Sequence, residues 1–230
     1  MQKNLSTPQK FDTPAPVSAV LDIPAGRLQF IAADRADTTV EVRPANPGKS
    51  RDIKAAGEIT VFYSDGVLRI QAPEANDRFL GSSGSVEITV QLPAGSRIEA
   101  KTAGAEFRGV GRLGDVAFEG GYRSVKLDEA ASARITAHDS DITVGRLSGP
   151  AQISTQRGNI RITEAHGGTV ALDTQYGDIS VGAARGVSAT LDAGTTYGRV
   201  HNALNNTAGA AAGLNIRATT AYGAITASSL

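Results

Sequence analysis

The stretch GRLSGPAQISTQRGNIRITEA, residues 145–165, runs into EAHGGTVALDTQYGDISVG, residues 164–182, and together they decide the fold. In each, a short run alternates apolar and polar residues, a glycine turn interrupts it, and a second alternating run follows. Alternation at period two is the pattern of a half-buried β-strand. The unit recurs upstream, in GRLGDVAFEGGYRSVKLDEA at 111–130 and EAASARITAHDSDITVG at 129–145. One apolar residue per unit anchors the repeat: Val125, Ile142, Ile160, Ile179, Val200 and Ile225, at intervals of 17, 18, 19, 21 and 25 residues. Most follow a two-residue turn, Ser140-Asp141, Gly158-Asn159, Gly177-Asp178, Gly198-Arg199 and Gly223-Ala224.

A strand as short as VALDT cannot bury its inward side chains alone, whereas stacked rungs build a continuous core. Val170, Leu172, Ile179 and Val181 are the inward set of one unit. At about 1.5–3 kcal/mol per buried side chain, a rung supplies several kcal/mol before conformational entropy is charged. Rungs therefore need neighbours, and the ends need caps. The expected architecture is all-β: a β-solenoid or β-helix-like stack of short strands over residues 86–230. A β-sandwich is the alternative, because periodicity does not give strand direction.

Residues 11–85 read as an antiparallel hairpin cap, and residues 1–10 as a polar tail. RLQFIAA (27–33) and TTVEVRP (38–44) are expected to face each other across the loop DRAD. ITVFYS, Asp65-Gly66 and VLRIQAP form the clearest hairpin, since Asp-Gly between alternating runs favours a tight two-residue turn. A helical turn is expected near SRDIKAAGE.

Composition narrows the function. The chain has 230 residues, 23 basic against 23 acidic and interspersed, so the clustered Lys and Arg that neutralise nucleic-acid phosphates are missing. Neither nucleic acid nor an anionic membrane surface is expected as a partner. There is no Cys, which removes disulfides, thiolate metal sites and Cys nucleophiles. The opening MQKNLSTPQKFDTPAP has no apolar stretch of a secretory signal, and no segment is long enough for a membrane span, so the expectation is a cytoplasmic protein.

FDTPAPVSAVLDIPAG, SVEITVQLPAGSRIEAKTAG, GRLGDVAFEG, TQYGDISVG, TTYGRVHNAL and ATTAYGAITASSL resemble a bacterial β-strand-repeat family of unknown function that carries the label "putative adhesin". The resemblance runs from about Phe11 to Leu230. It implies a β-solenoid-like repeat domain without established catalytic residues, and a binding role toward a protein or glycan partner.

Four constellations are candidates for chemistry. Tyr176, Tyr197 and Tyr222 each precede a turn glycine, in TQYG, TTYG and TAYG, and Tyr122 lies in GGYRS. Aligned along one edge, they would offer aromatic faces with hydroxyl tips, a platform for a protein or sugar or a ladder sealing the core. Asp141, Asn159 and Asp178 occupy equivalent turn positions. Stacked carboxylates there could hold a cation or act as the acid pair of a carbohydrate-active enzyme, the alternative function, but Asp and Asn are also ordinary turn residues. His138, His166 and His201 lack metal-ligand spacing, so no metal and no cofactor are expected. GSSGS at 81–85 leads into a strand, not a helix, and lacks Gly-Lys-Ser/Thr, so a phosphate loop is not expected. No nucleophile elbow occurs, and the chain reads as non-enzymatic. The last unit, LNIRATTAYGAITASSL, ends the chain uncapped, which leaves an edge for a homodimer.

Overall fold

The computed structural model describes residues 8–73 and 84–230. Its strands stack in two columns that face each other across one core. The first column begins with β4 (Thr60–Ser64) and β5 (Val67–Gln71), followed by the first half of β2 (Ser18–Ala33). Next comes β7 (Arg97–Glu119), which crosses the column at both of its ends, then the second half of β8 (Ser124–Thr136). β10 (Ala151–Arg157), β12 (Gly168–Tyr176), β16 (Leu214–Tyr222) and β14 (Ala189–Tyr197) complete it. The second column holds β1 (Gln9–Asp12), β3 (Asp37–Pro44), β6 (Val86–Pro93) and the remaining parts of β2, β7 and β8. It ends with β9 (Asp141–Leu147), β11 (Ile160–Ala165), β13 (Ile179–Ala183), β17 (Ile225–Ser229) and β15 (Val200–Ala203).

From β5 and β6 onward every neighbour pairs in parallel, as a coil repeating one direction requires. The fold is a β-solenoid. Inward positions alternate with outward ones, and the inward columns are apolar: Ile142, Ile160, Ile179 and Ile225 are in direct register, each at most 1% exposed. Three buried phenylalanines gather in one place. Phe30, Phe107 and Phe118 contact in series at 5.3 and 5.0 Å between ring centres.

Antiparallel pairing is confined to one end of the stack, where β4 lies on β5, β3 on β6, and β1 on β3. Asp65 (φ 51°) and Gly66 (φ 77°) make the expected hairpin turn between β4 and β5. The helix forms at SRDIKAAGE (α1, Ser50–Glu58), and its buried Asp52 accepts a hydrogen bond from Ser85 N at 3.0 Å. RLQFIAA and TTVEVRP do not pair. β6 lies between them, parallel to β2 and antiparallel to β3. Loop DRAD brings the two strands close, but β2 is a rung of the coil, and the neighbours of a rung are other rungs.

The other end holds a reordering. β13 leads in sequence to β14, yet β16 separates β12 from β14, and β17 separates β13 from β15. The sequence reading places LNIRATTAYGAITASSL at the free edge; in the structure it sits one rung inside, and the free edge is β14–β15. Burial explains the order. The inward residues of β16–β17, Leu214, Ile216, Ala218, Ile225 and Ala227, are at most 1% exposed. Those of β14–β15 are fewer and more polar, and Val200 keeps 45% of its surface exposed at the end. The more apolar rung goes inside and the poorer one closes the stack.

Candidate functional site

The corner between the columns, where TxYG recurs, carries the sequence's strongest candidate. Thr174, Gly177 and Asp178 show how one corner is built. Thr174 Oγ1 donates to Gly158 O of the previous rung at 3.1 Å. Thr220 repeats this to Gly177 O at 3.0 Å, Thr195 to Gly223 O at 3.0 Å, and Thr155 Oγ1 lies 2.9 Å from His138 O. Thr155, Thr174 and Thr220 are at most 4% exposed, so a threonine ladder closes the core beneath the turn. This function of the threonine is not read from the sequence above, although its recurrence two residues before the aromatic in TQYG, TTYG and TAYG is the signal for it.

The acidic turn residues form a second ladder. Asp141 Oδ1 accepts from Asn159 N at 2.8 Å, Asn159 Oδ1 from Asp178 N at 2.8 Å, and Asp178 Oδ1 from Ala224 N at 2.7 Å. Each side chain thus satisfies the turn N–H of the next rung, the ordinary structural use of Asx residues in turns. Asn159 stands between the two carboxylates proposed as an acid pair. The histidines do not converge. His138 stacks on Tyr122, His166 Nε2 lies 3.2 Å from Glu164 Oε1, and His201 is exposed on β15. Among the described residues, no group of three His, Cys, Asp or Glu could hold a metal ion. Of GSSGS, residues 81–83 lie outside the described residues.

Above the threonines, Tyr176, Tyr222 and Tyr197 form one stack in that spatial order. Ring centres are 4.9 Å apart at both steps, with interplanar angles of 1° and 10°. That separation is the spacing of adjacent strands, so the backbone register sets the ring spacing. The rings remain 52%, 47% and 64% exposed, respectively. Their faces cover one another; what reaches solvent is a strip of ring edges and hydroxyls, together with the free outer face of Tyr197. Tyr122, 58% exposed, stands apart and stacks on His138 at 5.7 Å. Between the two aromatic groups, Arg157 occupies the tyrosine's register position beside Tyr176 and bonds both oxygens of Asp139, at 2.8 and 3.0 Å. The structure thus unites three of the four candidate tyrosines and separates the fourth.

The family model described as Toastrack DUF4097 matches residues 21–228, nearly the whole coil. The chain belongs to the Toastrack family. No curated protein matches it. Among solved structures, a "putative adhesin" from Bacteroides fragilis is similar at 14% identity and a TM-score of 0.58, with 98% of each chain covered. A "putative adhesin" from Parabacteroides distasonis is similar at 12% identity and a TM-score of 0.51, with 96% of each chain covered. At such identities the likeness concerns the fold. This Toastrack chain has, among its described residues, no helix long and apolar enough to cross a membrane.

Proposed function

We propose that this Toastrack chain is a non-catalytic binding scaffold, and that the corner strip of Tyr176, Tyr222 and Tyr197, with Tyr122 further along, docks a protein or glycan partner. One observation carries the reading: the corner is sealed by buried threonines, while the tyrosines over it stay about half exposed. A ladder that served only to close the core would have its rings buried. Tyr suits recognition because a rigid ring brings contact area and a hydroxyl at small entropic cost. Stacking holds the rings in a row at 4.9 Å between centres, pre-organised for a partner with hydrogen-bonding groups along its length.

The test compares wild type with a Y176A/Y197A/Y222A triple variant and its phenylalanine counterpart on a glycan array and against fractions of the native cell. The alanine variant is expected to keep its circular dichroism and lose binding. The phenylalanine variant separates hydroxyl from ring contributions. Equal binding by wild type and the alanine variant, or unfolding of that variant, would place the site elsewhere. Fractionation with protease shaving of intact cells then selects the partner class: surface exposure supports adhesion, and a cytosolic chain requires an intracellular partner.

A further inference from the structure

The two ends of the solenoid are not equivalent. At one end, antiparallel strands β1, β3 and β4 close the columns, and α1 packs against β3 and β6. At the other end, among the described residues, β14 pairs only with β16 and β15 only with β17. The loop after β15 reaches back over the start of β14, where Ala189 N donates to Asn205 O at 3.1 Å. Beyond that point the edge has no strand partner. Val200 is 45% exposed, Leu191 and Ala193 are half-buried, and Tyr197 shows a bare ring face where the stack stops.

Edge strands in soluble proteins are ordinarily guarded by lysine, proline, bulges or a covering element. β14, ATLDAGTTY, has no lysine or proline, pairs with β16 in unbroken register from Ala189 to Thr195, and carries one charge, Asp192. We infer that this edge takes a second copy of the chain, end to end about a two-fold axis, with β14 against its own mate. The asymmetry of the ends selects this arrangement. A head-to-tail filament would need the opposite end open, whereas a pairing of like edges closes on itself.

The contact is small. β14 and β15 have nine and four residues, which at about 3.3 Å per residue and roughly 10 Å between sheets gives on the order of 300 Å² per copy. Stable complexes bury about 800 Å² per partner, so the dimer is weak and reversible.

Gly194 supplies the test. It is exposed on β14, has an ordinary φ, and a Cβ built on it meets nothing within 4 Å. Gly194→Lys therefore fits the monomer and puts on β14 the residue type that ordinarily guards an edge strand, while Gly194→Val adds a strand-favouring side chain. Sedimentation equilibrium of the full chain from micromolar to millimolar concentration is expected to show a monomer–dimer equilibrium for wild type, at least a tenfold weaker one for Gly194→Lys, and a tighter one for Gly194→Val. A wild type that stays monomeric throughout, or a dimer indifferent to Gly194→Lys, overturns the inference. Because Tyr197 lies on β14, the Gly194 variants are also run in the binding test: binding kept by Gly194→Lys while the dimer weakens separates this outcome from that of the tyrosine strip.

Discussion

Gly158→Ala tests whether the corners are as tightly stacked as their geometry requires. Gly158 has φ 131°, and a Cβ there would sit 2.1 Å from Ser140 O and 2.5 Å from Ser140 C of the rung before. An ordinary contact begins near 3.4 Å, so the rungs would have to part by over 1 Å of a strand spacing near 4.8 Å. Parting them strains Ser140 N→Arg157 O (2.8 Å) and Ile142 N→Asn159 O (2.8 Å) together. Backbone strain of about 1–3 kcal/mol, and about 1–3 kcal/mol for a buried backbone group left unpaired, sum to roughly 2–6 kcal/mol. Domains of this kind have about 5–15 kcal/mol in all, so the variant should be near its limit. Two controls isolate the terms. Gly186 has φ 77° with open space around it, so Gly186→Ala should cost only the backbone strain, about 1–2 kcal/mol. Gly194 has neither constraint, and Gly194→Ala should be neutral or stabilise by about 0.4–1 kcal/mol. Urea unfolding followed by circular dichroism gives all three. A cost for Gly158→Ala no larger than that for Gly186→Ala would refute the close-stacking account.

Two further outcomes follow from single sites. Ser140 Oγ is buried and has no hydrogen-bond partner, so Ser140→Ala should be neutral or raise the melting temperature; a clear loss of stability would mean that the hydroxyl is satisfied. Asp37 is held at about 2, below the ordinary 3.8, by hydrogen bonds from Arg35 (2.9 Å) and then Lys10 (3.1 Å). Its contribution is present above pH 3.8 and is lost as pH falls through about 2, so Asp37→Asn should flatten the acid-side decline of stability in that window.

Much of the coil was legible in the sequence. The anchors Val125, Ile142, Ile160 and Ile179 are true register neighbours, because an inward column needs one apolar residue from every rung while the loops between rungs absorb differences in length. The order of the last two rungs was not legible. Tyr176, Tyr222 and Tyr197 share one register, so β14 and β16 would each fit beside β12 equally well by pattern. What orders them is the difference in apolar content between LNIRATTAYGAITASSL and ATLDAGTTYGRVHNA, a comparison between rungs that no local pattern contains. The isolation of Tyr122 has a local cause: in GGYRS the tyrosine follows its glycines, whereas in TxYG it precedes one.

The rung at 155–159 contains a natural substitution that bears on the role of the tyrosines. TQRGN has arginine where three other corners have tyrosine. Nothing beneath it has changed: Thr155 makes its buried hydrogen bond, Gly158 keeps a positive φ, Asn159 joins the Asx ladder, and Ile160 is 1% exposed. Register across Arg157 and Tyr176 is unbroken. A corner of this solenoid therefore closes without an aromatic ring, and its stability rests on threonine, glycine and the Asx turn. The ring position is then free to differ from rung to rung, which a surface selected for recognition requires and a core ladder would not allow. If the proposed binding role holds, the Arg157–Asp139 ion pair, lying between the Tyr122–His138 pair and the tyrosine triple, falls within the same footprint.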